Sequence, residues 1–157
     1  MHPVARELLA EDSGIGLLCS AHLRKSARSY ADLAELEFFK HDRRPNEHPV
    51  AEIDLLANCD DKVIIGEAKT TPSLGGTKGD REKKAHKLAD VARILRADQI
   101  VLCTPADNWP QIDANAVQAA IASKFADAPN QPTIRVITGL GTTDVNDDRA
   151  DQTDPAT

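Results

Sequence analysis

A β-hairpin is the feature of this sequence that most constrains its fold. Residues 50–58 (VAEIDLLAN) and 62–70 (KVIIGEAKT) are rich in aliphatic and β-branched side chains, and a short polar segment, residues 59–61 (CDD), joins them. Two such segments separated by so short a connection are typical of antiparallel strands linked by a tight turn. We therefore predict a hairpin over residues 50–70.

The length of the turn sets the register of the hairpin. If the turn centres on its two aspartates, Asp54 lies opposite Glu67 and Glu52 lies opposite Lys69. Carboxylates directly opposite one another on adjacent strands repel, so Asp54 and Glu67 need a compensating charge. A divalent cation would supply it, because hard ions such as Mg²⁺ bind carboxylate and water oxygens and leave room for substrate phosphate oxygens.

Lys69 adds a positive charge beside this predicted metal site. An ammonium there can orient an attacking water or stabilise the charge that develops in a phosphoryl transition state. Together with the two acids it indicates phosphodiester hydrolysis rather than acyl transfer, which requires a Ser-His-Asp or Cys-His arrangement. The alternative is a half-exposed charged hairpin in which Glu52 and Lys69 form a surface salt bridge.

The other segments predict an α/β fold, with a mixed β-sheet flanked by helices on both faces. Strand and helix alternate over residues 62–140, which requires crossover connections and parallel pairing in that half. Periodicity predicts helices over residues 3–11, 15–27, 80–97 and 112–127, and further strands over residues 33–40, 99–105 and 133–140.

The acidic residues and the element order resemble the PD-(D/E)XK nuclease superfamily, whose domains are restriction-endonuclease-like. Asp54 is followed, after twelve residues, by Glu67-Ala68-Lys69. The resemblance covers about residues 5–105 and implies an αβββαβ core, to which this chain adds a helix and a strand. One departure is Ile53, which stands where the family name has proline.

The resemblance implies a role for each residue of the motif. Asp54, Glu67 and the carbonyl oxygen of Ala68 would bind Mg²⁺ or Mn²⁺. Lys69 would assist catalysis with the two acids. We add Glu52 to the catalytic group, either as a partner that holds Lys69 or as an additional metal ligand.

The first helix is a further source of a metal ligand. Many members of the superfamily contribute a glutamate from this helix, and here Glu7 and Glu11 are the two candidates. The sequence does not choose between them, and each is alternatively an ordinary exposed helix residue.

Basic residues around the helix over residues 80–97 predict contact with a nucleic-acid backbone. Residues 78–96 hold seven basic and three acidic side chains, a local charge of +4. Such a helix beside the hairpin can neutralise phosphates, which gives affinity without sequence specificity. The alternative is a solvated face stabilised by i,i+4 ion pairs. The residues assigned to nucleic-acid binding are Lys78, Lys83, Lys84 and Lys87.

Charge and composition set the domain boundary and the expected environment. Residues 142–157 hold five Asp and one Arg without apolar periodicity, so we predict a disordered acidic tail after one domain over residues 1–141. Apolar runs fall short of the ~18 residues that span a membrane. The N-terminus does not match a signal peptide. The three cysteines exclude a disulfide framework. We expect a cytoplasmic protein without membrane contact that acts alone, as a homodimer or with a partner protein.

The sequence therefore predicts a metal-dependent nuclease, acting on DNA because the superfamily mostly does so. Two alternatives stay open. One is a catalytically inactive binding or interaction module that kept the fold, possibly within a larger nucleic-acid-processing system; the short chain and its acidic charge favour it. The other is an α/β domain with a charged hairpin and no nucleic-acid role, which predicts that salt-dependent DNA binding is absent.

Overall fold

The computed structural model of the protein describes residues 12–42, 44 and 46–148. The helix predicted over residues 3–11, with Glu7 and Glu11, lies outside the described residues. The described part is an α/β fold with a mixed sheet, as predicted, and the sheet has six strands, one more than the five predicted. None of its helices is long and apolar enough to cross a bilayer.

Nine elements make up the described chain. The helices are α1 (Asp12–Ser26), α2 (Lys78–Leu95) and α3 (Gln111–Lys124), and the strands are β1 (Tyr30–Phe38), β2 (Ala51–Cys59), β3 (Lys62–Ala68), β4 (Gln99–Cys103), β5 (Thr133–Thr138) and β6 (Asn146–Asp147).

The strands lie in the sheet in their chain order. Strands β3, β4 and β5 are parallel, with α2 and α3 as the crossover helices, and the other neighbours are antiparallel. The predicted combination of an antiparallel hairpin and a parallel half is therefore confirmed.

The hairpin of β2 and β3 has the predicted register, with Leu55 opposite Gly66. Its turn residues Asp60 and Asp61 have φ angles of 49° and 65°. Two successive left-handed residues are the requirement of a type I′ turn, which matches the twist of the flanking strands. The carboxylate of Asp60 accepts hydrogen bonds from two backbone N–H groups that follow α1, at 2.9 and 2.8 Å, and so ties the turn to the helix.

Helices pack on both faces of the sheet, as predicted. On one face α2 and α3 contribute Leu88, Val117 and Ile121 to an apolar cluster. On the other face α1 contributes Ile15 and Leu23 to a second cluster. Each such side chain stabilises the fold by about 1.5–3 kcal/mol when it is fully buried.

Helix α2 begins two residues earlier than predicted. The hydroxyl of Thr77 accepts a hydrogen bond from the N–H of Asp80 (3.2 Å) and donates one to its carboxylate (2.7 Å). The first bond satisfies one of the N-terminal N–H donors of the helix, and the second holds the threonine hydroxyl in place. Lys78 consequently lies in the first turn.

The chain beyond residue 141 differs from the predicted tail over its described part. Asn146 and Asp147 form β6, which pairs with β5. Asp147 accepts hydrogen bonds from Arg135, with Nε 2.8 Å from Oδ1, and lies 2.8 Å from Nε2 of His22. Composition could not reveal these basic partners, which come from distant parts of the chain. Residues 149–157 lie outside the described residues.

Candidate active site

The candidate site lies where β2 and β3 separate. Their ladder ends at Leu55 and Gly66; beyond this pair β2 continues against β1, and β3 continues against β4. The N–H of Ala68 donates a hydrogen bond to Oδ2 of Asp54 at 2.7 Å. A side chain therefore bridges the two strands where the backbone ladder stops.

The backbone of β2 is irregular at Asp54. Ile53 packs into the cluster beneath α2 and α3, whereas Leu55 packs into the cluster beneath α1. A regular strand would direct both side chains to one face, so β2 rotates at the residue between them. Glu35 of β1, across from Asp54, has a φ of 53°. This left-handed backbone conformation is unfavourable for residues other than glycine.

The two predicted acids and the predicted lysine converge. Nζ of Lys69 lies 3.3 Å from Oδ2 of Asp54 and 3.2 Å from Oε1 of Glu67. The Glu67 side chain is 11% exposed, and those of Lys69 and Asp54 are 19% and 22% exposed. One ammonium thus bridges the buried carboxylate of Glu67 and the half-buried carboxylate of Asp54, on the same side of the sheet as α2.

Burial and mutual charge shift the pKa values at this site. Burial raises the pKa of Glu67, and the negative charge of Asp54 adds to that effect, outweighing the opposite influence of the Lys69 and Lys84 ammoniums. Burial alone would lower the pKa of Lys69, but the carboxylates of Glu67 and Asp54 more than compensate and the pKa is raised. In the metal-free protein Lys69 is therefore protonated at neutral pH and can stabilise negative charge.

A cavity of about 180 Å³ opens above these groups. It is smaller than the ~300–1,000 Å³ typical of sites that enclose a whole small molecule. A phosphate group fits this volume, whereas a nucleotide does not, so a large substrate would lie across the opening with one group inside. The charged residues that line the cavity are Glu52, Asp54, Glu67, Lys69, Lys84 and Lys87.

Glu52 lines this cavity but does not hold Lys69. Among the described residues, the ion-pair partners of Lys69 are Asp54 and Glu67. The salt bridge considered between Glu52 and Lys69 is therefore not formed. The physical reason is that the β2–β3 ladder ends before these residues come opposite each other, and Glu52 instead lies opposite Glu37 of β1.

The structure divides the four lysines assigned to nucleic-acid binding. Lys84 and Lys87 are three residues apart on α2 and share the face that lines the cavity. Lys83 is exposed beside that face. Nζ of Lys78 lies 3.7 Å from the carboxylate of Glu82 in an exposed i,i+4 pair, as the solvated-face alternative expects. Contact with nucleic acid stays a prediction for all four.

Sequence reasoning missed Gly16 of α1. A Cβ atom at this position would lie 2.9 Å from the carbonyl oxygen of Asp54. The glycine therefore permits the close packing of α1 against β2 at the candidate site. The available signal was a glycine within an apolar helical segment, which often marks a close backbone approach.

The donor atoms present fit a magnesium-type ion. Within residues 12–42, 44 and 46–148, no group of three or more His, Cys, Asp or Glu side chains is arranged to hold a metal. The site offers two carboxylates, of Asp54 and Glu67, and Mg²⁺ commonly uses one or two with water filling its other positions. Structural zinc, which takes four nitrogen or sulfur ligands, does not fit this donor set.

The chain was also compared with protein-family models, with curated proteins and with solved structures, and none of the three comparisons found a match. A function for the chain is therefore argued from the geometry and chemistry of its own residues.

Proposed function

We propose that this protein is a metal-dependent nuclease of the PD-(D/E)XK type that hydrolyses phosphodiester bonds in DNA. The observation that carries the proposal is the convergence of Asp54 and Glu67 on Nζ of Lys69, at 3.3 and 3.2 Å, where two strands of a mixed sheet separate. Two carboxylates and an ammonium in one small polar cavity can hold a dication and stabilise phosphoryl charge, which suits metal-assisted hydrolysis of a phosphodiester.

Asp54, Glu67 and the carbonyl oxygen of Ala68 would hold Mg²⁺ or Mn²⁺. A bound dication supplies electrostatic stabilisation of phosphoryl charge and lowers the pKa of a coordinated water. The raised pKa of Glu67 supports this assignment, because it reflects a carboxylate whose burial is only partly compensated by nearby ammoniums.

Lys69 would stabilise negative charge on the reacting phosphate. Its ammonium is charged at neutral pH and is held by Asp54 and Glu67, so it needs little reorganisation when charge develops on a substrate oxygen. Glu52, on the wall of the same cavity, is our candidate for an additional metal ligand.

Lys84 and Lys87 would bind the phosphates that flank the reacting one. They lie on the rim of a cavity that admits one phosphate group, and contacts of this kind supply salt-dependent, sequence-independent affinity for nucleic acid. DNA is the expected substrate because of the resemblance of the Asp54…Glu67-Ala68-Lys69 motif to a superfamily that mostly cleaves DNA.

Cleavage of supercoiled plasmid and of labelled DNA and RNA oligonucleotides, with Mg²⁺ or Mn²⁺ and with EDTA, tests the proposal. We expect metal-dependent DNA cleavage that falls by about 100-fold or more in each of Asp54→Asn, Glu67→Gln and Lys69→Met, the range for removing one interaction made in the transition state. Asp61→Asn, at the exposed turn of the same hairpin, is the matched control and should cleave normally.

Three results would contradict parts of this proposal. Normal cleavage by Lys69→Met would remove the role of Lys69. Calorimetric Mn²⁺ affinity unchanged in the double variant Asp54→Asn, Glu67→Gln would remove the metal site. Salt-dependent DNA binding without cleavage would favour the inactive binding module instead.

A further inference from the structure

A second cavity, of about 520 Å³, lies on the opposite face of the sheet from the candidate active site. It is enclosed by the end of α1, the turn of the hairpin, and residues of β3, β5 and β6. Its volume is within the ~300–1,000 Å³ range of small-molecule sites. Its position is well separated from the first cavity, because α1 covers one face and α2 covers the other.

The acidic residues that line this cavity already have partners. Asp147 accepts hydrogen bonds from Arg135 and lies 2.8 Å from Nε2 of His22. Asp60 accepts two hydrogen bonds from backbone N–H groups at 2.9 and 2.8 Å. Both carboxylates of the cavity therefore already interact with groups of the protein itself.

Two lysines line the same cavity, and neither has an ion-pair partner within the described residues. Lys25 reaches it from α1 and Lys62 from β3, and both are exposed. An anion placed between them could accept charge-assisted hydrogen bonds from both.

The rest of the lining is partly apolar. The half-buried Val145 contributes to the wall, whereas Ile64 is 1% exposed and offers a ligand little surface. Small-molecule sites commonly combine such an apolar surface with a few charged groups that fix orientation. A cationic rim next to an apolar wall suits a ligand that carries an anionic group on an apolar body.

We propose that this cavity binds an organic phosphomonoester of about mononucleotide size. Its phosphate would lie between Lys25 and Lys62, and its apolar part would contact Val145. This inference does not depend on the nuclease proposal, because none of these residues lines the first cavity.

Cys59 provides a local reporter of occupancy. Its thiol lines the second cavity and is half-buried, whereas Cys19 and Cys103 are completely buried. Iodoacetamide should therefore modify Cys59 first, and a ligand in the cavity should slow that reaction. The rate is measured by mass spectrometry on the full chain, with adenosine 5′-monophosphate, inorganic phosphate or adenosine as the probe and EDTA present.

We expect adenosine 5′-monophosphate to protect Cys59 with half-protection below about 1 mM, the level of weak specific binding. The double variant Lys25→Ala, Lys62→Ala should raise that concentration by about tenfold or more, because it removes hydrogen bonds to a charged group. Lys40→Ala, which replaces an exposed lysine outside this cavity, is the matched control and should behave like the wild type.

Three outcomes would overturn the proposal. One is the absence of protection at about 10 mM nucleotide, where a site of the expected affinity would be saturated. Another is unchanged protection in the double lysine variant. The third is equal protection by adenosine, which would show that the phosphate is not recognised. Protection by inorganic phosphate as strong as that by the nucleotide would refute the contribution of Val145.

Discussion

Gly16 of α1 lies directly against Asp54 of β2. A Cβ atom on Gly16 would be 2.9 Å from the carbonyl oxygen of Asp54 and 3.9 Å from its Cβ. The backbone of α1 fixes the position of that Cβ atom, and the oxygen belongs to the backbone of β2. A side-chain rotation therefore cannot relieve the contact. The helix on one face of the sheet therefore sets the position of the strand residue whose carboxylate takes part in the candidate site.

Gly16→Ala should destabilise the protein by about 1–3 kcal/mol, the usual cost of overpacking, although alanine favours a helix by up to about 1 kcal/mol. The shift of β2 should also weaken Mn²⁺ binding. Urea unfolding and calorimetry measure the two effects. The control is Gly79→Ala in α2, where the nearest atom, Oγ1 of Thr77, is 4.0 Å away. Equal stability of the two variants would contradict the steric role of Gly16.

The sequence predicted the hairpin well because its signals are local. A two-residue turn between two aliphatic strands leaves one register that keeps the apolar residues inside. That register brought Asp54 and Glu67 to the same place, as the structure has them. The partners of Lys69 could not be predicted, because the ladder ends before Glu52 comes opposite Lys69, and the end of a ladder depends on neighbouring strands.

Interactions between distant segments were outside the reach of sequence patterns. Asp147 belongs to an acidic segment whose composition indicates a solvated tail, yet its carboxylate is held by Arg135 and His22. Gly16 likewise gives only a general signal, a glycine in an apolar helical segment, which does not identify Asp54 as the residue that it packs against. In both cases the deciding factor is tertiary packing, which periodicity and composition do not encode.

Glu67→Gln should stabilise the metal-free protein at neutral pH. Burial raises the pKa of Glu67 above its ordinary value of 4.5, so the folded state binds this proton more tightly than the unfolded state does. The free energy of unfolding therefore falls as the pH rises from the unfolded-state pKa through the higher folded-state pKa. Glutamine removes that cost, and we expect a gain of about 0.5–2 kcal/mol, typical of relieving a functional site.

Urea unfolding with EDTA between about pH 4 and pH 8, the range over which a raised carboxyl pKa is crossed, measures this effect. The gain should shrink toward the acid end, where Glu67 is protonated in both states. Glu82→Gln is the control, because the Glu82 side chain is 54% exposed, and it should change stability by no more than about 0.5 kcal/mol. A gain that is independent of pH would contradict the assigned cause.

Lys84 and Lys87 should dominate the salt dependence of DNA binding. Both line the candidate cavity, whereas Lys83 does not. In fluorescence anisotropy between about 50 and 200 mM salt, the double variant Lys84→Ala, Lys87→Ala should reduce the slope of log K against log salt by about 0.9 for each phosphate that is no longer neutralised. Lys83→Ala, which removes an exposed lysine beside the cavity, should reduce the slope by less than half as much. An equal reduction for each lysine removed would indicate a diffuse basic surface rather than a defined phosphate path.

Glu35→Gly should be tolerated far better than the same change two residues along β1. Glu35, across from Asp54, has a φ of 53°. This left-handed backbone conformation costs about 1–2 kcal/mol for a residue other than glycine. Glycine relieves this strain, which offsets its larger entropy loss on folding of about 0.5–1 kcal/mol. Glu37 is also exposed on β1 and is not among the residues of positive φ, so Glu37→Gly loses entropy on folding without relief of backbone strain. Glu37→Gln, which removes only the charge that faces Glu52, corrects for the repulsion between the two carboxylates. Urea unfolding should therefore separate the two glycine variants by about 1–2 kcal/mol, and equal losses of stability would show that β1 stores no strain beside the candidate site.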